Sequence, residues 1–165
     1  MRIAVMGAGG TGGFFGGLLA RAGEELTFIA RGAHLEAIKK NGLNVKSSLC
    51  GNFHLPAKAT ADSAQIGPVD LVLFCVKAYD NPVAADLIRP LIGPETVVLS
   101  VQNGIDNEEQ IGKVIGSQHV LGCVSYVSST IESPGVISQT AGPGKIILGE
   151  IGIKFLLQLP EITLG

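Results

Sequence analysis

The 165-residue sequence predicts an α/β protein with a doubly wound, mostly parallel sheet and helices on both faces. Three observations predict it. Short apolar runs alternate with helix-like stretches along most of the chain. The run DLVLFCV (70–76) is apolar almost throughout, as a strand covered on both faces must be. And the first apolar run, RIAVM, leads directly into glycines spaced G-x-G-x-x-G at Gly7, Gly9 and Gly12.

The elements follow in order. Arg2 to Met6 contains no glycine and carries Ile3 and Val5, as a short buried strand would. Behind the glycines, Phe14/Leu18 and Phe15/Leu19 stand at i, i+4 spacing and predict a helix. Leu26 to Ala30 is a second strand, and Ala33 to Asn41 a second helix that Gly42 stops. Residues 43–60 are polar and irregular, with a hairpin expected around Ser48 to Asn52. Asp70 to Val76 is the next strand. Asn81-Pro82 then opens a helix running toward Gly93, with Asn81 as cap and Pro82 at the first helical position. Thr96 to Val101 is a further strand, and Asp106 with Glu109 forms a capping box for a helix reaching Ile115. His119 to Val127, Val136 to Gln139 and Lys145 to Leu148 are the last strands expected.

The opening stretch has two rival explanations, an export signal and a membrane span. Arg2 supplies a positive start, Ala20-Arg21-Ala22 imitates a cleavage site, and Ile3 to Ala20 is 18 uncharged residues. Seven of those 18 are glycine, however, and each interior glycine weakens a helix by roughly 1 kcal/mol relative to alanine. A phosphate loop uses the same glycines better. The first permits a tight turn, the second admits a pyrophosphate, and the third lets the helix lie close on its strand. Free N–H groups at the helix start then face the anion. A glycine-rich packing turn without a ligand is the plainer alternative. Gly13, Gly16 and Gly17 would extend the flat face of the helix beyond the motif.

Composition narrows the class further. Charged residues make up 16% of the chain, against about 25% in an average domain, and 46% are hydrophobic. Much of the surface is therefore expected to be covered by something, and self-association into a homo-oligomer is expected. A net charge of −2 with no basic run argues against nucleic acid and against a polybasic membrane patch. Cys50, Cys75 and Cys123 are far apart and form no C-x-x-C, which suits reduced thiols in a cytoplasmic protein. His34, His54 and His119 sit near no cysteine pair, and no metal site is expected.

In sheets of this type ligands bind outside the carboxyl ends of the strands. The polar residues that punctuate those ends are Gly7 to Gly12, Arg31, Lys77 and Gln102-Asn103, which should line one edge. Arg31 follows the second strand, 19 residues after Gly12, where a site for NAD usually has an acid for the ribose 2′-hydroxyl. Its guanidinium fork matches a 2′-phosphate instead, so NADP(H) is the cofactor expected. A solvated loop arginine is the alternative. Lys77 read alone is a surface lysine capping a strand. Asn103-Gly104 is a strong turn signal, but it links a strand to a helix, where the amide could meet a nicotinamide ribose and a substrate. A methyltransferase-like glycine loop is a further class, disfavoured because it wants an acid where Arg31 stands.

MRIAVMGAGGTGG, IARG, LFCVKAYD and VQNGID, with the later PGVISQTAGPGKIILGE, resemble the ketopantoate reductases (2-dehydropantoate 2-reductases). The resemblance runs from Met1 to about Glu150. It implies a Rossmann-type domain over 1–150 and NADPH-dependent reduction of a 2-keto acid, ketopantoate, to pantoate on the route to pantothenate and coenzyme A. By position, it implies that Gly7, Ala8, Gly9, Gly10, Thr11 and Gly12 hold the pyrophosphate and Arg31 the 2′-phosphate. Lys77 and Asn103 would line the nicotinamide side, Asn103 would also meet substrate, and Ser128 would contact the cofactor.

The family continues into a helical domain that carries the lysine proton donor and most substrate-binding side chains. Here residues 151–165, IGIKFLLQLPEITLG, keep no helical period, and Pro160 interrupts them. This atypical tail is expected to reflect a truncation, a shifted frame or an altered terminus, with the helical domain absent. Lys154 lacks matching surroundings and is not assigned the lysine's role, so no catalytic residue is expected within this chain. A non-catalytic NADP-binding module, or a reductase of a different 2-keto acid, is the alternative.

Overall fold

In the computed structural model, which describes residues 1–149, strand β1 (Arg2–Met6) leads through a glycine loop into helix α1 (Gly10–Arg21). Strand β2 (Glu25–Ile29) and helix α2 (Gly32–Asn41) follow, then three short strands, β3 (Leu43–Ser47), β4 (Phe53–Leu55) and β5 (Lys58–Thr60). The alternation resumes with β6 (Leu71–Phe74), α3 (Asn81–Leu87), β7 (Val97–Ser100) and α4 (Asn107–Ile115). Two long strands, β8 (Val120–Ser133) and β9 (Val136–Gly149), close the described chain.

The strands join one sheet in the order β4-β3-β9-β8-β7-β6-β1-β2-β5. From β5 to β8 every neighbouring pair is parallel. Beyond β8, β9 is antiparallel, β3 runs parallel to β9, and β4 turns back against β3. The chain builds outward from β1 to β2 and β5, then returns to place β6 on the other side of β1. That reversal opens a crevice between β1 and β6 at their carboxyl ends.

Strand periodicity divides the buried residues between two cores. Ile3, Val5 and Leu73 face α1 and pack with Phe14, Phe15, Phe28 and Ile137. Ala4, Met6, Val72 and Phe74 face the other way, onto Ala84, Ala85, Ile88 and Ile111 of the α3–α4 layer. Truncating Phe14 or Phe28 to alanine in such a core costs about 3–5 kcal/mol.

The glycines of α1 serve two walls rather than one face. A Cβ on Gly16 would lie 2.7 Å from the Phe28 ring and 2.9 Å from Val5, on the β1–β2 side. A Cβ on Gly13 would lie 2.6 Å from Ile137, and one on Gly17 would lie 3.1 Å from Val45, on the β9–β3 side. The sheet therefore curls around α1.

Several local expectations are corrected. Residues 43–60 form three strands, with the expected reversal at 48–52 between β3 and β4. Asn81 is the first helical residue, not the cap, and its fully buried amide donates to Asn107 Oδ1 at 2.9 Å and accepts from Gln102 Nε2 at 2.7 Å. The helix after it stops at Leu87, and a 3-10 turn over Arg89–Leu91 takes in Pro90, which cannot continue an α-helix. The capping box does not form. The Asp106 carboxylate accepts from Gln110 Nε2 at 2.7 Å, while Glu109 pairs with Lys113 at 2.7 Å. The three late strands merge into the β8–β9 hairpin, with register shifts near Tyr126, Ser128 and Ile131. Lys154 and the 151–165 tail lie outside the described residues.

Candidate functional site

The glycines of the loop differ in what surrounds them. Gly7 has φ +96°, and a Cβ there would sit 3.0 Å from Val76 and 3.1 Å from Cys75. Around Gly9 the space is open: an added Cβ would meet nothing within 4 Å. On Gly10 a Cβ would strike the Ser129 carbonyl oxygen at 2.1 Å, and on Gly12 the Gly7 carbonyl oxygen at 2.1 Å. Conformation thus requires glycine at Gly7 and packing requires it at Gly10 and Gly12, while Gly9 borders open space. Gly9 is the N-cap of α1, no side chain caps the helix, and its first turn holds no acid. The first N–H groups, with the positive end of the helix dipole behind them, are available to an anion.

A cleft of about 400 Å³ runs along this carboxyl edge, lined by Gly7, Ala8 and Gly9, by Arg31, and by Lys77. Ala30, Ala61, Tyr79, Val83 and Leu87 supply an apolar side wall. Arg31 is largely exposed, and its guanidinium lies 3.3 Å from the Asp80 carboxylate. A surface pair of this kind is worth about 0–1 kcal/mol, so Arg31 can exchange Asp80 for another anion. Lys77 precedes a single 3-10 turn over Ala78–Asp80.

Asn103 is exposed in the bend after β7, beyond the residues lining the cleft, and its carbonyl accepts from Asn107 Nδ2 at 3.1 Å. The neighbouring Gln102 is committed to structure: Nε2 donates to Val76 O at 2.7 Å and ties the loops after β6 and β7 together. Ser128 is exposed on β8, with Oγ 3.3 Å from the Thr140 hydroxyl. The next residue, Ser129, lies across a register shift in the β8–β9 pairing and is half-buried. Its carbonyl lies over Gly10, and its hydroxyl is the one buried side-chain oxygen or nitrogen without a hydrogen-bond partner among the described residues. An orphaned donor beside an uncapped helix start fits a phosphate-bearing ligand.

Sequence reasoning missed Asp80, Ser129 and His34. Their roles come from partners far away in the chain, which no local signal announces. His34 joins the loop to the rest of the fold: Nε2 lies 2.7 Å from Ala8 O, and Gly135 N donates to Nδ1 at 3.0 Å. Burial lowers its pKa below 6.5.

The thiols near the loop are not poised for chemistry. Burial, with Cys123 nearby, drives the Cys75 pKa far up, and burial followed by Glu108 pushes Cys123 up to about 12. Cys123 donates to Ser100 O at 3.0 Å. Neither thiol is a nucleophile near neutral pH. Among the described residues no group of three or more His, Cys, Asp or Glu could hold a metal ion.

The parallel sheet, its switch point and the glycine loop define a Rossmann-type domain, a class that holds nucleotides at the strand carboxyl ends. The chain belongs to the family described as ketopantoate reductase PanE/ApbA, whose family model matches residues 3–152. It is 35% identical to a 2-dehydropantoate 2-reductase of Mesorhizobium japonicum, over 91% of this chain and 52% of that protein. The crystal structure of 2-dehydropantoate 2-reductase from Geobacter metallireducens superposes with a TM-score of 0.84 at 41% identity, covering 91% of this chain and 49% of that one. A ternary structure of D-mandelate dehydrogenase with NADH and anilino(oxo)acetate reaches 0.83 at 27% identity, over 93% and 50%. The chain spans about half the length of the curated relatives it matches. No helix among the described residues is long and apolar enough to cross a membrane.

Proposed function

We propose that this chain is the NADP(H)-binding half of a reductase that converts 2-dehydropantoate to pantoate. The convergence of Gly7–Gly9, Arg31 and Lys77 on one cleft at the carboxyl edge carries the reading. When bound, the cofactor supplies hydride to the carbonyl carbon of the 2-keto acid. The residues of this chain position it. Gly7, Ala8, Gly9, Gly10, Thr11 and Gly12 present backbone N–H groups and close approach to the pyrophosphate. Arg31 leaves Asp80 for the 2′-phosphate, where its fork can bond bidentately. Lys77 and Asn103 serve the nicotinamide side, with Asn103 also reaching substrate. At Ser128 the proposal shifts to its neighbour Ser129, whose backbone packs against the loop and whose buried hydroxyl has no partner. We assign no proton donor within residues 1–149.

Titration of the chain with NADPH and NADH tests the cofactor reading. NADPH should bind more tightly, and equal or tighter NADH binding would refute the role given to Arg31. The NADH-bound relative favours one further reading, a reductase acting on a different 2-oxo acid. A panel of 2-oxo acids, assayed by NADPH absorbance with the family's helical half supplied, separates the two.

The unpaired thiols suit a reducing, cytosolic setting. Val124 and Tyr126 on the outer face of β8 are 52% and 48% exposed, and we propose self-association through this face. Val124→Asp should shift the sedimentation profile toward monomer. An unchanged profile would remove that face from consideration.

A further inference from the structure

We propose that His34 is a positioning residue of the glycine loop: its ring N–H holds the Ala8 carbonyl and thereby aims the Gly9 amide at the pyrophosphate of a bound nicotinamide dinucleotide. The inference rests on the cofactor reading above and adds a residue to it. A backbone N–H can only donate, so Gly135 makes Nδ1 the acceptor and leaves the ring proton on Nε2. Nε2–H then donates to Ala8 O at 2.7 Å. In a trans peptide the carbonyl and the following N–H point in opposite directions. Fixing Ala8 O therefore fixes the direction of the Gly9 N–H. The hydrogen bond also polarises that peptide, which makes its N–H a stronger donor. Open space beside Gly9 leaves room for the anion.

The same ring anchors the loop to the far end of the chain. Gly135 sits in the β8–β9 turn with φ +78°, and its carbonyl accepts from Asn44 N at 2.9 Å. One imidazole thus connects α2, the loop after β1 and the hairpin that carries Ser129. A second proton, on Nδ1, would meet the Gly135 N–H head on and break the connection. Arg31, just before His34 in the chain, is engaged with Asp80. Residues 7–9 carry no ionisable side chain. Burial is the largest influence on the ring, opposed by the Ala8 carbonyl. The neutral ring is thus the folded form, and the connection is complete above 6.5 and lost as pH falls through the lower folded pKa.

The test measures Kd for NADPH and NADH, with melting temperatures, on the whole chain and on H34L and H34Q. Glutamine places an amide donor near the Nε2 position, so H34Q should stay within about twofold of the wild type. H34L should weaken both cofactors alike, by about threefold to tenfold, the worth of one net hydrogen bond. NADH, which has no titrating 2′-phosphate, should bind the wild type equally well from about pH 8 down to about pH 6.5 and progressively less well from there to about pH 5. H34Q should show a flat profile over that range. H34L binding like the wild type, or H34Q as weak as H34L, overturns the role. Should H34L fail to fold, parallel pH profiles of the wild type and H34Q overturn it instead. A wild-type chain that binds neither cofactor at any pH overturns the cofactor reading itself.

Discussion

The two ends of the parallel sheet each carry a cavity, and they differ in what their polar groups are doing. At the amino end a cavity of about 340 Å³ is lined by Arg2, Glu25, Lys58 and Gln65. Its groups are already paired: Arg2 donates to Ile66 O at 2.9 Å, Lys58 meets Glu25 at 3.2 Å, and Gln65 accepts from Thr60 at 3.1 Å. At the carboxyl end the cleft of about 400 Å³ has a helix start that no side chain caps and a loosely held arginine. Similar volumes therefore have opposite chemical meaning. Unspent donors, rather than space, make a site.

The sharpest way to break that comparison is Gly9→Val. A branched side chain would fill the space proposed for the pyrophosphate, and we expect binding of both cofactors to fall more than about a hundredfold. The open space around Gly9 means that circular dichroism and the melting curve should change little. Binding that survives in a folded Gly9→Val protein would move the site elsewhere.

Arg31→Ala should separate the cofactors. NADPH loses a charge-assisted contact of roughly 1.5–3 kcal/mol, on the order of tenfold to a hundredfold, while NADH stays within about threefold. Equal losses would show that Arg31 does not read the 2′-phosphate. Asp80→Asn should act in the other direction and more weakly. Removing the carboxylate 3.3 Å from Arg31 frees the guanidinium and removes a like charge, so NADPH should bind about twofold to fivefold more tightly. A loss on titration would mean that Asp80 holds Arg31 in place for the phosphate.

Lys58→Ala, at the amino end, should have the smallest effect. Both partners of its ion pair are more than half exposed, so stability should change by less than about 1 kcal/mol and cofactor affinity not at all. A changed affinity would show that the two ends are coupled.

How much of this was legible depends on how far each contact reaches along the chain. The β1–α1–β2 unit was readable because its apolar pattern and its glycines are local. The roles of Gly7 and Gly12 were readable for the same reason. Strands β3, β4 and β5 read as irregular because they are short and polar, and β3 is held by β9, more than ninety residues later. Asn81 looked like a cap because Asn-Pro usually opens a helix. Its partners Gln102 and Asn107 lie on other elements, which the dipeptide cannot reveal. Helical spacing predicts one flat face for Gly13, Gly16 and Gly17, because it does not say that a sheet will curl to a second wall. Ser128 was carried by position in the motif, whereas the direction of each side chain along β8 depends on where its register shifts fall.

Gly10 and Gly13 press against Ser129 and Ile137, residues that leave the ribosome more than a hundred positions after them. The glycine loop can therefore begin to form early in synthesis but cannot be completed until the final hairpin docks. Contacts between such distant segments carry the loop-closure cost that slows folding. Until then Phe14, Phe15 and the Gly13 side of α1 lack part of their cover, the kind of surface on which newly made chains aggregate or meet chaperones. A dinucleotide present during refolding would accordingly act on the last event rather than the first, holding the closed hairpin in place once it has arrived.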